Sequence, residues 1–267
     1  MKKIVIISLA SLLALPTFVM AQDDVDDGSD FGGRITAEAD KKLAKGLHAF
    51  ANGEVRFNDN FGKFYRYQGT AGVSYKVNNY LKTALSYTFI ESKKLKDTSE
   101  VWNARHRFTF DITGSYRIGD FKLSLRERLQ LTNKKVNNEY QNVANGYTLR
   151  TRLMVQYKGL TDWTPYAYVD VRNTLNAPKW SYTFDDVKGL YSDCTWEGYK
   201  DVYINRIRFG LGAEWELSKQ HSFDFYALYD SCTEKEIDSN KKGTKLHSIV
   251  NHTSKNISLG VGYKFSF

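Results

Sequence analysis

The sequence predicts an all-β protein, an antiparallel transmembrane β-barrel of 10–12 strands with short periplasmic turns and long extracellular loops. Three observations lead there: an N-terminus of export type, long runs in which apolar and polar residues alternate, and a final run ending on an aromatic residue in register with the apolar face.

The N-terminus begins Met1-Lys2-Lys3 and continues into an apolar run over 4–16. That run is too short for the ~20 residues of a membrane-spanning helix. Val19-Met20-Ala21 then offers small residues at the two positions a signal peptidase reads. Residues 1–21 are therefore expected to be a cleaved signal peptide, with outer-membrane localisation in a bacterial cell to follow. Residues 22–32 carry Asp23, Asp24, Asp26, Asp27 and Asp30 and are expected to be an unstructured acidic segment. The barrel is assigned to 33–267. The formal net charge is +8, and setting the acidic segment aside makes the barrel more basic still. For an exported chain this excess points to anionic lipid headgroups or anionic solutes, and nucleic acid is not an expected partner.

The strands are legible from alternation. Over 65–77, Tyr65, Tyr67, Gly69, Ala71, Val73, Tyr75 and Val77 share one face, and Arg66, Gln68, Thr70, Gly72, Ser74 and Lys76 the other. This run exceeds the ~5–6 residues of an ordinary strand and meets the ~9–11 needed to cross a bilayer at a tilt. The pattern recurs over 81–89, 107–116, 122–131, 149–157, 206–215 and 222–230. The mean hydropathy of −0.50 does not oppose a membrane barrel, because only every second residue faces lipid. At the end, Ile257, Leu259, Val261, Tyr263, Phe265 and Phe267 alternate with Ser258, Gly260, Gly262, Lys264 and Ser266. This run resembles the targeting strand that the barrel-assembly machinery reads, with Tyr263, Phe265 and Phe267 as its signal.

Connection lengths suggest topology. Short links over 77–81, 118–121, 158–163 and 217–221 alternate with long polar links over 91–103, 132–146, 176–200 and 233–255. Counting from Gly33 gives an odd number of arms, whereas bacterial single-chain barrels have even counts. Ten strands result if the arm over 34–40 is not in the wall, and twelve if a further strand exists.

The stretches GLHAFANGEVRFNDNF, RYQGTAGVSYKVNNYLKTALSYTFI and RHRFTFDITGSYRIGDFKLSLRERLQL resemble an uncharacterised outer-membrane β-barrel family of Bacteroidetes, known only as a domain of unknown function. The resemblance covers most of 31–267. It implies a barrel and its placement, and it carries no activity and no catalytic residues.

Chemistry concentrates in pairs of arginines on the polar face: Arg105 and Arg107, Arg126 and Arg128, Arg150 and Arg152, Arg206 and Arg208. Acids in the same register are fewer. One expectation is an electropositive lumen that takes small anions or acidic sugars, as a small channel or a binding barrel. The alternative is a closed interior with a structural or adaptor role, because ~8 strands are already filled by side chains. A tight turn at Gly119-Asp120 would place Asp111 opposite Arg128 as an ion pair and Thr113 opposite Arg126, leaving Arg126 with no acid across from it.

Glu127 falls in the apolar register between Leu125 and Leu129. It is read as a rim residue or a local bulge, with a lipid-active enzyme as the functional alternative. His106 shares that register but lies too far along to act with Glu127, and His48, His221, His247 and His252 are scattered. No nucleotide, zinc or hydrolase motif occurs, so no metal, cofactor or catalytic residue is assigned and an enzyme is not expected. Cys194 and Cys232 are expected to form a disulfide outside the wall. Tyr182, Phe184, Tyr191, Trp196 and Tyr199 crowd one long link, either stacking on sugars, closing the mouth, or packing on one another.

Overall fold

A computed structural model of the chain describes residues 24–96, 99–185 and 187–267. The stretch read as a signal peptide, 1–21, lies outside the described residues. The strands are β1 (Asp24–Ala44), β2 (Leu47–Asn58), β3 (Lys63–Lys76), β4 (Leu81–Lys96), β5 (Ser99–Ile118), β6 (Phe121–Lys134), β7 (Asn145–Tyr157), β8 (Trp163–Asp185), β9 (Leu190–Glu216), β10 (His221–Ser239) and β11 (Leu246–Ser266). They form one closed barrel in chain order, β1 returning to β11. Consecutive strands are antiparallel, and β1 and β11 are parallel.

Among the described residues, eleven strands replace the even count expected from the sequence, and the wall is mixed instead of wholly antiparallel. The reason is geometric. A meander reverses at every turn, so an odd number leaves the first and last strands running the same way. The doubtful arm is part of the wall, with Ile35 opposite both Val261 and Val55.

The acidic segment is also corrected. Residues 24–32 are the first part of β1. Partners on β11 hold it there: Asp26 meets Lys255 at 3.3 Å, and Asp27 meets His252 at 2.9 Å. Gly28, at φ 84°, accommodates the register shift between Asp26 and Ser29.

His252 bridges this seam. Its Nδ1 faces Asp27 on β1 and its Nε2 faces Glu236 on β10 at 3.1 Å. Only an imidazolium donates from both nitrogens. The hydrogen bond to Asp27 comes first among the causes that raise the His252 pKa above its ordinary 6.5. A raised folded-state pKa gives a contribution that is complete below 6.5 and is lost as pH rises through the raised value. Amide exchange at residues 25–30 is therefore expected to quicken with pH beyond its intrinsic dependence, and His252→Gln should remove that excess.

The long links are mostly strand. β8 and β9 run 23 and 27 residues and pair as far as Asp185 opposite Leu190, so most of the link read as a loop over 176–200 is a hairpin standing beyond the wall. Its β-prone aromatics pair and stack: Tyr182 lies 5.0 Å from Tyr191, Phe184 4.7 Å from Tyr191, and Trp196 5.5 Å from Tyr199. Trp180, Ile237, Leu246 and Ile249 form a small core where this hairpin meets β10, β11 and the irregular link over 135–144. The Trp180 indole donates to the Tyr140 carbonyl at 3.1 Å.

The expected disulfide is absent: Cys194 and Cys232 are both free. Cys194 packs against the small core that holds Ile237. Cys232 is displaced from Ile237 along β10 by ~17 Å at ~3.4 Å per residue, and its Sγ meets Arg206 Nη2 at 3.3 Å.

The wall is inverted relative to a water-soluble protein. Outward residues are apolar and exposed, Leu85 at 58 %, Phe108 at 56 % and Leu211 at 67 %, while inward ones are polar and covered, Ser74 at 3 % and Asp170 at 0 %. Aromatic pairs ring the end with the short turns, among them Phe121 with Tyr157, Trp163 with Trp215 and Tyr80 with Tyr116. Phe64, Tyr67 and Trp102 cluster toward the other end. Phe267 closes the seam, its amide donating to the Asp40 carbonyl at 2.9 Å and its carbonyl accepting from Lys42 at 3.0 Å.

Candidate functional site

The inward arginines fall into two adjoining rows, because each Arg-x-Arg pair keeps both side chains on one face and the registers align them. In one row Arg128, Arg150, Arg172 and Arg206 lie directly opposite one another across β6, β7, β8 and β9. In the other, Arg126 faces Arg152, which faces Asp170, then Arg208, then Asp230. Like charges in direct opposition repel. Shared carboxylates hold the rows together.

Asp111 accepts from Arg128 through both oxygens, each at 2.6 Å. Asp170, with 1 % of its side chain exposed, accepts from Arg150 Nε at 2.6 Å and Arg152 Nε at 2.8 Å. Asp230 faces Arg208 at 2.6 Å, Arg206 at 3.3 Å and Arg34 at 3.7 Å. Glu54 pairs with Arg56. Arginines outnumber these acids. Arg107 donates to Thr132 at 3.0 Å, Arg105 to Ser92 at 3.4 Å and Arg172 to Asn205 at 2.8 Å. Arg126 makes no ion pair among the described residues. Arg66 Nε and Arg208 Nε are buried donors with no hydrogen-bond partner among them.

A cavity of about 550 Å³ runs from Glu38, Glu214 and Lys264 near the short turns to Arg34, Arg107, Arg128, Arg150 and Arg208. Arg66, Arg105, Arg172 and Arg206 lie on the far side of that arginine layer. The layer is tight: the Arg34 and Arg208 side chains are 8 % and 7 % exposed.

Glycines keep the cavity wide. Tyr168, Tyr166 and Tyr226 lie across Gly210, Gly212 and Gly260, whose missing side chains leave room for the rings against the wall. The inner face of Tyr168 carries Arg152, whose guanidinium carbon lies 3.8 Å from the ring centroid.

A family described as a protein of unknown function (DUF2490) matches residues 35–240. The chain belongs to the DUF2490 family. That match spans β2 to β10 and part of β1, so all of the paired arginines lie within the family region. No curated protein matches the chain.

The structure brings Arg126, Arg128, Arg150, Arg152, Arg206 and Arg208 into one cluster, places Arg107 in the cavity lining and leaves Arg105 and Arg206 outside the cavity. Sequence reasoning did not single out Asp170 or Asp230 as shared partners. Their signal was the Asp170-Val171-Arg172 alternation on one polar face and the position of Asp230 two residues before Cys232, but only the register of β8, β9 and β10 reveals whom they meet.

Glu127 is neither a rim residue nor a bulge. The β5–β6 and β6–β7 registers run without a shift, and Glu127 lies midway along the outward run from Phe121 to Leu131. Its Oε2 accepts from Thr151 at 2.8 Å, and its Oε1 is covered and without a partner among the described residues. Three of the histidines meet non-serine partners: His106 meets Tyr87, His48 meets Asp40, and His221 meets Tyr263.

Proposed function

We propose that this chain is a bacterial outer-membrane β-barrel whose lumen binds anionic solutes. The observation that carries the reading is the combination of an apolar outer wall with a surplus of inward arginines over the carboxylates that face them. Buried cations without counter-charge are costly, and an anion in the cavity offsets that cost. The aromatic rings at both ends of the outer band suit the two membrane interfaces. Lipid and the barrel-assembly machinery are then its other partners, the latter through Tyr263, Phe265 and Phe267.

The tight arginine layer favours a binding cup over a free channel, because the cavity ends where those side chains pack. Calorimetric titration of the detergent-purified barrel with inorganic phosphate tests the reading. Binding should be measurable and should weaken in Arg126→Gln. Heat release equal to that of chloride would count against it. In planar bilayers the cup should pass little current, and a large steady conductance would favour the channel.

Glu127 supplies a check on membrane placement. In lipid, an acid midway along the outer band destabilises by less than the ~2–4 kcal/mol of a midplane Arg or Lys. Glu127→Leu is expected to raise the temperature at which the barrel loses its compact form on detergent gels. A lower temperature would mean that the hydrogen bond from Thr151 outweighs that cost.

A further inference from the structure

The lining of the cup changes chemistry with depth. Near the short turns, Lys264 is paired with Glu38 at 2.9 Å, Glu214 and Asp224 present further carboxylates, and the Tyr166 hydroxyl donates to Asp224 at 2.8 Å. Deeper, Arg126 and Arg128 present guanidinium donors. Between them, the Tyr226 ring lies across Gly260 and lines the cavity.

A bare inorganic anion uses the arginines and leaves Glu214, Asp224 and the Tyr226 ring without a partner in the ligand. A neutral sugar uses the carboxylates as acceptors for its hydroxyls and leaves the arginines uncompensated. One ligand class satisfies both ends: a hydroxylated ring bearing an anionic group. Its hydroxyls donate to Glu214 and Asp224, the C–H face of the ring lies on tyrosine, and its carboxylate or phosphate accepts from Arg126 and Arg128. A cavity of about 550 Å³ falls within the ~300–1,000 Å³ of small-ligand sites. Resting on the anion-binding reading and narrowing it, we infer that the cup is a site for an acidic saccharide unit, entered from the short-turn end.

The test is a set of calorimetric titrations of the purified barrel with D-glucuronate, D-glucose 6-phosphate, D-glucose, acetate and inorganic phosphate. At least one sugar acid should bind about ten-fold more tightly than glucose and than its matching simple anion, a difference of about 1.4 kcal/mol. Whichever sugar acid is tighter identifies carboxylate or phosphate as the anionic group. Asp224→Asn should weaken the sugar acid several-fold and leave inorganic phosphate unweakened, whereas Arg126→Gln should weaken both. Both variants are checked for the compact gel form before titration. If the simple anions match the sugar acids, the saccharide inference falls and the anion-binding reading stands. If glucose matches them, or nothing binds, both fall.

Discussion

Asp170→Asn is expected to weaken the barrel more than any other single change, by about 3–5 kcal/mol. The substitution keeps the shape of the side chain and removes its charge. Arg150 and Arg152 then face each other, Arg126 and Arg172 with no shared carboxylate among them, in a site where Asp170 is 1 % exposed. Solvent screens little at such burial, so the effect does not need the discount that applies to surface pairs. The temperature at which the compact gel form is lost should fall sharply, or the compact form should not be recovered at all. Adding Arg152→Gln to Asp170→Asn removes one of the stranded charges and should return part of the loss. A double variant no better than the single one would mean that the charge balance is not what Asp170 supplies.

Gly212→Val should be nearly as damaging, and for a different reason. A Cβ at this position would lie 2.5 Å from the Tyr166 hydroxyl and 2.8 Å from the Phe225 carbonyl oxygen. The tyrosine can swing away, but the carbonyl belongs to the neighbouring strand, so β9 and β10 must separate locally. Overpacking of this kind costs roughly 1–3 kcal/mol. The displaced Tyr166 ring also has only the cup to enter, and its hydrogen bond to Asp224 is lost. Stability and anion binding should therefore fall together. Tyr166→Ala in the same chain should relieve the clash with the ring but not the one with the Phe225 carbonyl, so it should restore stability only in part and saccharide binding not at all.

The division between what the sequence disclosed and what it did not follows from the range of the interactions. The faces of β3 to β7 and β11 were legible because alternation is local and a one-residue slip would turn every side chain around. The register of one hairpin was legible because its tight turn fixes it, and the Asp111–Arg128 contact depends on that register alone. The strand count was not, because closure depends on how β1 meets β11, which are far apart in sequence. The hairpin of β8 and β9 was read as loop because its polar residues hide a core completed by Ile237 and Ile249 of other strands. Asp170 and Asp230 were visible as acids in the polar register, but their partners come from neighbouring strands across bulges and turns. Glu127 went the other way: its outward position was read correctly, and only the unbroken register on both sides of β6 placed it in the middle of the band.

The central claim, an inverted barrel whose lumen gathers anions because its arginines exceed its carboxylates, is tested most directly by anion-specific thermal stabilisation. The temperature at which the compact form is lost is measured at constant ionic strength while chloride is replaced stepwise by phosphate. A ligand that binds only the folded barrel stabilises it by RT ln(1 + [L]/Kd), about 2.7 kcal/mol at a hundred-fold excess over Kd. Phosphate should raise the midpoint progressively, and Arg126→Gln should reduce the rise. Identical midpoints in phosphate and chloride, or an equal rise in Arg126→Gln, would contradict the claim.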